Sequence, residues 1–457
     1  MKAPSPSPSK YFSSPTARQD FLERARQTLR GNDMGEFVKP GRYQYPHQWN
    51  WDAALIALGL SHFDPPRARK EIRSLLRGQW GDGMLPHIIY HNGASDYFPD
   101  PQFWRTEDSP HAPTAVATSG LTQPPILASC LHLMHQRAGD RRESLKFVHE
   151  VYPALTRWHH WLHRARDPQE TGLVAIIHPW ESGTDNAARW IEPLLQVTPS
   201  RLPPYTRRDS QHVDKQERPR RADYERFIYL IDRFRSWSYD AAISYQKSPF
   251  LVQDTLFNAV LYRAHCDLIA LGQELGEPAD ALERLAAHLK RTFNDRLWDH
   301  SAGCYYAYDL RNRRLIRENG CATFIPLFAG IADPRQAETL VKRHLENPEE
   351  YAPDGSSRYY LPSQAKNHYF YEPRRYWRGP VWILINWLVE SGLRRYGYRQ
   401  QADTLRRHSL ELMINSGFSE YYDPRDGSPA GASDFSWSAA LALELLEAPR
   451  IEPLEEA

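Results

Sequence analysis

Val381-Trp-Ile-Leu-Ile-Asn-Trp-Leu-Val389 carries one polar side chain in nine positions, and Phe435-Ser-Trp-Ser-Ala-Ala-Leu-Ala-Leu-Glu-Leu-Leu446 is apolar on nearly every side of a helical wheel. A helix of that kind must be buried all round. The stretches 67–80 and 279–293 are instead two-faced; the first sets Ile72, Leu75, Leu76 and Trp80 on the 3.6-residue spacing of one helix face. An inner ring of fully buried helices wrapped by an outer amphipathic ring gives both kinds in alternation. The fold class this predicts is all-α, an (α/α)6 toroid, with a long irregular bundle as the rival.

The same periodicity continues away from these segments. Ile126, Cys130, Leu133 and Met134 repeat it, as do Leu256, Val260, Ala264 and Leu268, and further helices are expected over 143–164, 336–344, 380–393, 402–413 and 433–446. That makes roughly a dozen helices by pattern. Strand-like alternation is scarce, and no repeat of 20 to 50 residues points to a solenoid. One large domain accommodates 457 residues when the core is a closed barrel. We place a flexible tail at 1–16 and a single catalytic domain at 17–450. The pattern breaks at 196–221, which holds Pro199, Pro203, Pro204 and Pro219 with seven basic and three acidic residues. A long loop inside a compact domain is usually functional, and this one is expected to be a lid over a site.

Composition removes several function classes. Lys and Arg number 57 against 56 Asp and Glu, so no basic excess argues for a nucleic acid or an anionic membrane. No stretch reaches the ~18 apolar residues of a membrane span, and the first fourteen residues lack the apolar run of a signal peptide. The expected location is cytoplasmic. Cys130, Cys266, Cys304 and Cys321 are widely spaced and read as reduced packing residues. There is no Gly-rich phosphate loop. His159 and His163 are spaced i,i+4 beside His160 without an HExxH frame, so no metal and no other cofactor is called for. Oligomeric state is not fixed by the sequence, and a homo-oligomer is compatible with it.

Against a mean hydropathy of −0.66, 14 Trp and 25 Tyr are unusual. Core demand alone is met by Leu, Ile and Val, whereas Trp and Tyr offer a flat apolar face with a polar tip. A sugar ring, apolar on one face and hydroxylated at its rim, is a matching partner. These aromatics gather in four clusters, each with acids or cations and each at an expected helix terminus. Tyr45-Pro-His-Gln-Trp-Asn-Trp-Asp52 precedes an apolar helix, where Asp52 is either a cap or a site residue. His178-Pro-Trp-Glu-Ser-Gly-Thr-Asp-Asn186 sets two acids around a Ser-Gly turn. A carboxyl beside Trp180, partly desolvated, would stay protonated near neutral pH as a general acid must. Tyr371-Glu-Pro-Arg-Arg-Tyr-Trp-Arg-Gly-Pro-Val-Trp382 precedes a buried helix, and Glu420 lies between aromatics in Gly417-Phe-Ser-Glu-Tyr-Tyr-Asp-Pro424. Converging at one mouth of a toroid, the clusters supply both carboxyls that glycoside cleavage needs. Inversion would set the pair ~6.5–9.5 Å apart to admit a water.

The set Trp-Asn-Trp-Asp52, Leu85-Pro-His87, Gln123-Pro-Pro, Trp180-Glu-Ser-Gly-Thr-Asp-Asn186, Tyr376-Trp-Arg-Gly-Pro-Val-Trp382 and Phe418-Ser-Glu420-Tyr resembles glycoside hydrolase family 63. Within it the likeness is to the compact bacterial mannosylglycerate and glucosylglycerate hydrolases, and it runs from about Tyr43 to Trp437. The resemblance implies inversion in an (α/α)6 barrel, with Asp185 matching the general acid and Glu420 the general base. It implies that Tyr45, Trp49, Trp51, Asp52, Gln123, Trp180, Gly183, Tyr376, Trp377 and Trp382 line the sugar pocket. Arg226 and Tyr97 match groups that hold the glycerate.

The expected substrate is therefore a small α-glycoside, glucosylglycerate or mannosylglycerate. The alternative within hydrolases is an α-glucosidase acting on di- or oligosaccharides. Two other classes are open: a sugar isomerase or epimerase, which would use a facing pair such as His87 and His178 for proton abstraction, and a non-catalytic sugar-binding protein.

Overall fold

A computed structural model describes residues 11–91, 97–209 and 211–449. Six inner helices, Asn50–Leu60, Leu127–Gln136, Thr255–Leu275, Ile325–Ala329, Ile383–Arg395 and Ser436–Glu447, touch one another in chain order, and the last packs against the first. This closed ring is the inner wall of an (α/α)6 toroid. Pro15–Gly31, Pro65–Leu76, Arg141–Arg166, Asp280–Leu297 and Arg399–Ser416 lie outside it, each packed against the inner ring. The sixth outer segment is Pro334–Thr339, which continues into a π-helical turn over Leu340–Leu345. Of the expected tail, residues 1–10 lie outside the described residues, and the first helix begins at Pro15.

The two kinds of hydrophobic pattern sort as the ring requires. Every residue of Asn50–Leu60 is buried, whereas Pro65–Leu76 buries only Ala68, Glu71, Ile72, Ser74 and Leu75. Each buried Leu or Ile contributes roughly 1.5–3 kcal/mol, so a helix buried on every side, such as Asn50–Leu60, contributes more per residue than a two-faced one. The first and last inner helices approach so closely that a Cβ on Gly59 would lie 2.4 Å from that of Ala440.

How the helices begin decides where the site lies. Three long outer helices carry side-chain caps: Ser14 accepts from the Ala17 amide at 3.1 Å, Asp64 from the Arg67 amide at 3.1 Å with proline following, and Asp140 from the Glu143 amide at 2.9 Å. Three inner helices instead begin after an aromatic residue, Trp49, Trp382 or Phe435, in extended conformation with no side-chain cap. Forgoing a cap costs about 1 kcal/mol per helix; here the capping position holds a ring that faces a cavity. Short antiparallel strands brace this end. Gln48–Trp49 pairs with Ile88–Tyr90, which pairs with Ala117–Thr118, and Tyr421–Tyr422 pairs with Pro429–Ala430.

Candidate active site

The three aromatic helix starts line an open cavity, with about 770 Å³ of empty space when its solvent-filled mouth is included. Its walls are aromatic. Trp377 and Trp382 stack at 3.7 Å between ring centroids, while Trp437 meets Trp51 edge-on at 5.5 Å and Trp382 at 5.7 Å. On the opposite side Trp49 stands edge-on to Tyr45 at 5.2 Å and to Tyr97 at 5.1 Å. The indole Nε1 atoms of Trp377 and Trp437 are buried without a hydrogen-bond acceptor in the protein. Buried donors are ordinarily satisfied, and both of these rings line the cavity.

All four aromatic clusters reach the cavity, and every anticipated residue but one lines it. Asp52 is not a cap: it lies inside Asn50–Leu60, in the first turn. Burial, and then the charge of Glu420, hold its carboxyl well above the usual carboxylate range. Gln123, just before Leu127–Gln136, accepts from the Trp51 amide at 3.2 Å and so joins two inner helices at the rim. The exception is Arg226. Its guanidinium donates to the backbone oxygens of Val197 at 3.2 Å and Ala222 at 3.1 Å, outside the cavity.

The arginine that does reach the cavity is Arg218, with Asp209 and Pro219 from the same 196–221 segment. That segment is not loose. Gln44 donates to the Asp209 carbonyl at 2.7 Å, the Arg207 guanidinium lies 4.5 Å from the Tyr224 ring, and Tyr205 stacks on Phe98. A short 3₁₀ turn, Lys215–Glu217, leads to Arg218; Glu217 accepts from the Gly431 amide at 3.0 Å, and its carbonyl accepts from the Tyr421 hydroxyl at 2.9 Å. Trp437 and Phe435 are further lining residues not singled out from sequence. Their only hint in the sequence is a place at a helix start, which they share with the Tyr45–Asp52 and Tyr371–Trp382 clusters.

Asp185 follows the Pro179–Ser182 3₁₀ turn. Gly183 turns the chain with φ 70°, and a Cβ there would lie 2.5 Å from the Trp51 ring. The turn is fixed from below by Glu181, fully buried, which accepts from Arg166 at 2.8 Å, from the Ile177 amide at 2.8 Å and from the Thr122 amide at 3.3 Å. Burial pushes the Asp185 carboxyl up to about 7; Arg218 pulls it down, and the charge of Glu420 adds to the rise. A carboxyl so poised both gives and takes a proton near neutrality.

Glu420 follows Arg399–Ser416 and is buried. Its Oε1 accepts from the Tyr45 hydroxyl at 2.6 Å and its Oε2 from the Ala432 amide at 2.9 Å. Arg218 adds Nη1 to Oε1 at 3.4 Å and Nη2 to Oε2 at 3.3 Å, its guanidinium lying 4.7 Å from the Tyr376 ring. The cavity thus places a carboxyl raised toward neutral pH, a second carboxylate and a guanidinium among tryptophans.

The histidines are arranged otherwise. His178 accepts from the Trp180 amide at 3.0 Å, donates to the Phe227 carbonyl at 3.1 Å, and does not line the cavity. His87 does line it, with Nδ1 at 2.8 Å from the Ser119 hydroxyl and its pKa driven well below the usual value by burial. Among the described residues no facing histidine pair forms there. His159 and His163 lie elsewhere and each contacts His265 at 3.0 Å.

Comparison with known proteins fits this geometry. The family model described as mannosylglycerate hydrolase MGH1-like glycoside hydrolase domain matches residues 45–438. A mannosylglycerate hydrolase of Thermus thermophilus is 44% identical over 92% of this chain and 99% of its own length, and a glucosylglycerate hydrolase of Mycolicibacterium hassiacum is 34% identical over 93% and 97%. The crystal structure of a family 63 mannosylglycerate hydrolase from Thermus thermophilus in complex with Tris and D-glycerate has a TM-score of 0.88 at 43% identity, covering 93% of this chain and 99% of that one. The toroid, the carboxyl pair in an aromatic cavity and these likenesses agree: the chain belongs to the MGH1-like group of glycoside hydrolase family 63 and is a glycoside hydrolase acting on a small glycoside.

Proposed function

We propose that the protein hydrolyses an α-linked sugar from glycerate, mannosylglycerate or glucosylglycerate, with inversion at the anomeric carbon. The observation that carries the reading is the pairing in one cavity of Asp185, raised to about 7, with Glu420. In this mechanism Asp185 gives its proton to the leaving glycerate oxygen as the anomeric C–O bond breaks. A water attacks from the opposite face of the ring, its oxygen forms the new bond to the anomeric carbon, and Glu420 takes its proton. Exchange with solvent returns both carboxyls to their starting states.

The remaining groups bind and orient. The tryptophan walls take the apolar faces of the ring, and the indole N–H groups of Trp377 and Trp437 donate to its hydroxyl oxygens. Asp52, Gln123, Trp180, Gly183, Tyr376 and Tyr97 complete the sugar and aglycone walls. Arg218, the guanidinium among the described cavity residues, meets the glycerate carboxylate in place of Arg226. The 196–221 segment acts as a lid, because it carries Arg218 and Asp209 over the opening. Relatives named for mannosylglycerate and for glucosylglycerate support the substrate class.

Proton NMR of the protein with each glycosylglycerate tests this directly. The expected first product is the β-anomer of the free sugar, seen before mutarotation. The α-anomer appearing first would refute inversion, and no release from either compound would refute the substrate.

A further inference from the structure

The hydrogen bonds at Glu420 are too many for a working base. A carboxylate offers about four acceptor positions, and four donors occupy them: Tyr45 and Arg218 Nη1 on Oε1, the Ala432 amide and Arg218 Nη2 on Oε2. A general base must accept a hydrogen bond from the proton it removes, at about 2.6–3.2 Å. One of the four donors has to leave before water can be activated.

Two of them are fixed. Ala432 is held by the reciprocal bond from the Glu420 amide to its carbonyl at 2.8 Å, and the Tyr45 ring is packed edge-on against Trp49 and Phe435. Arg218 is different. Its two bonds are the long ones, where charge-assisted pairs normally lie near 2.7–2.9 Å. Its Nε is buried with no acceptor in the protein, although the side chain is only 2% exposed. The backbone on either side is tied down through Glu217, and Arg375 donates to the Arg218 carbonyl at 3.0 Å, so the freedom lies in the side chain.

We propose that Arg218 is a latch on Glu420 which only an anionic aglycone lifts. The substrate's carboxylate offers Arg218 a bidentate partner that includes the unsatisfied Nε; the guanidinium turns to it, and the vacated positions on Glu420 accept the attacking water. This rests on the substrate class proposed above and goes beyond it: the aglycone's charge governs the chemical step as well as affinity. Neutral glycosides that fit the sugar wall bind more weakly and also turn over slowly, so kcat falls in addition to any rise in KM.

The experiment supplies the two halves of the substrate separately. An α-glycosyl fluoride occupies the sugar wall and leaves the aglycone region to a second molecule; water attack breaks the C–F bond, fluoride departs, and Glu420 takes the water's proton. Fluoride release by the wild-type protein is measured against rising D-glycerate, with glycerol as the uncharged control of similar size. The expected result is a rise of roughly a hundredfold with glycerate, at the low end of what a positioned base contributes, and none with glycerol. Arg218→Gln should release fluoride faster than wild type without glycerate and gain nothing from it. Inhibition or no change by glycerate overturns the latch, as does equal activation by glycerol. If the glycosylglycerates are still hydrolysed in that case, the substrate reading stands; if neither is hydrolysed and glycerate does not activate, both fall.

Discussion

Raising the pH from 6 to 9 should reduce turnover along a slope set by Asp185. A carboxyl with a pKa of about 7 is about half protonated at pH 7, about a tenth at pH 8 and about a hundredth at pH 9. Because the protonated form gives the proton, activity is present below the raised value and fades above it. For a glycosylglycerate, whose leaving oxygen needs that proton, kcat/KM should fall close to tenfold per pH unit above 7. Asp185→Asn should remove this alkaline limb and lower the rate by roughly 10²–10⁴, the usual contribution of a general acid. The same variant should keep most of its rate on an α-glycosyl fluoride, which needs little acid help. Initial rates for both substrates in wild type and variant, across constant-ionic-strength buffers, give the comparison. Equal losses on the two substrates, or an alkaline limb that survives in Asp185→Asn, would refute the assignment. Linkage adds a check independent of catalysis: a folded carboxyl raised from 3.8 to about 7 makes wild type lose stability relative to the Asn variant as pH rises from 4 to 7, with no further change above. Melting curves of the pair over that range should diverge and then run parallel.

Three further perturbations address the supports of the site. Gly183→Ala combines φ 70° with a Cβ only 2.5 Å from the Trp51 ring, so a loss of roughly 1–3 kcal/mol is expected in denaturant unfolding, along with weaker turnover. Arg166→Met strands the fully buried Glu181 and should cost roughly 3–5 kcal/mol; Arg166→Met with Glu181→Gln should recover part of this in the same assay. Trp437→Phe keeps the wall and removes one orphan N–H. A loss of about 1–1.5 kcal/mol of substrate binding, or about tenfold in kcat/KM, should follow with little change in melting temperature.

The aromatic clusters were legible because Trp and Tyr gather with acids or cations at helix termini, where a cap needs no aromatic wall, and all four reach one cavity. Arg226 was misplaced for an equally physical reason. Between 196 and 221 the chain carries no periodicity to fix which of its many arginines faces inward, and what selects Arg218 is a set of long-range contacts, Glu217 with Gly431 and Tyr421 among them. Asp52 read locally as a cap or a site residue, and only the start of the helix at Asn50, after Trp49, decides between them. The inner helix Ile325–Ala329 has five residues, too few for a 3.6-residue period to be seen. The helix expected over 336–344 is divided between an α turn and a π turn. Trp437 lay within a segment that reads as buried whichever side is inspected, and sequence does not separate burial in a core from burial at a cavity wall.

The closure of the inner ring by Ser436–Glu447 against Asn50–Leu60 bears on how the protein is made. The bond from Tyr45 to Glu420 joins residues 375 positions apart, so nearly the whole chain must leave the ribosome before the base has its partner. Until then the ring is an open arc, with the apolar flank of Asn50–Leu60 waiting for a helix not yet synthesised. Such exposed surface is where aggregation begins and where chaperones bind. Since Pro15–Gly31 packs on Ser436–Glu447, the two ends of the toroid are neighbours, and a circular permutant joined there and reopened at an exposed turn should fold to the same ring. Its order of synthesis would differ, and with it the helix that is left longest without a partner.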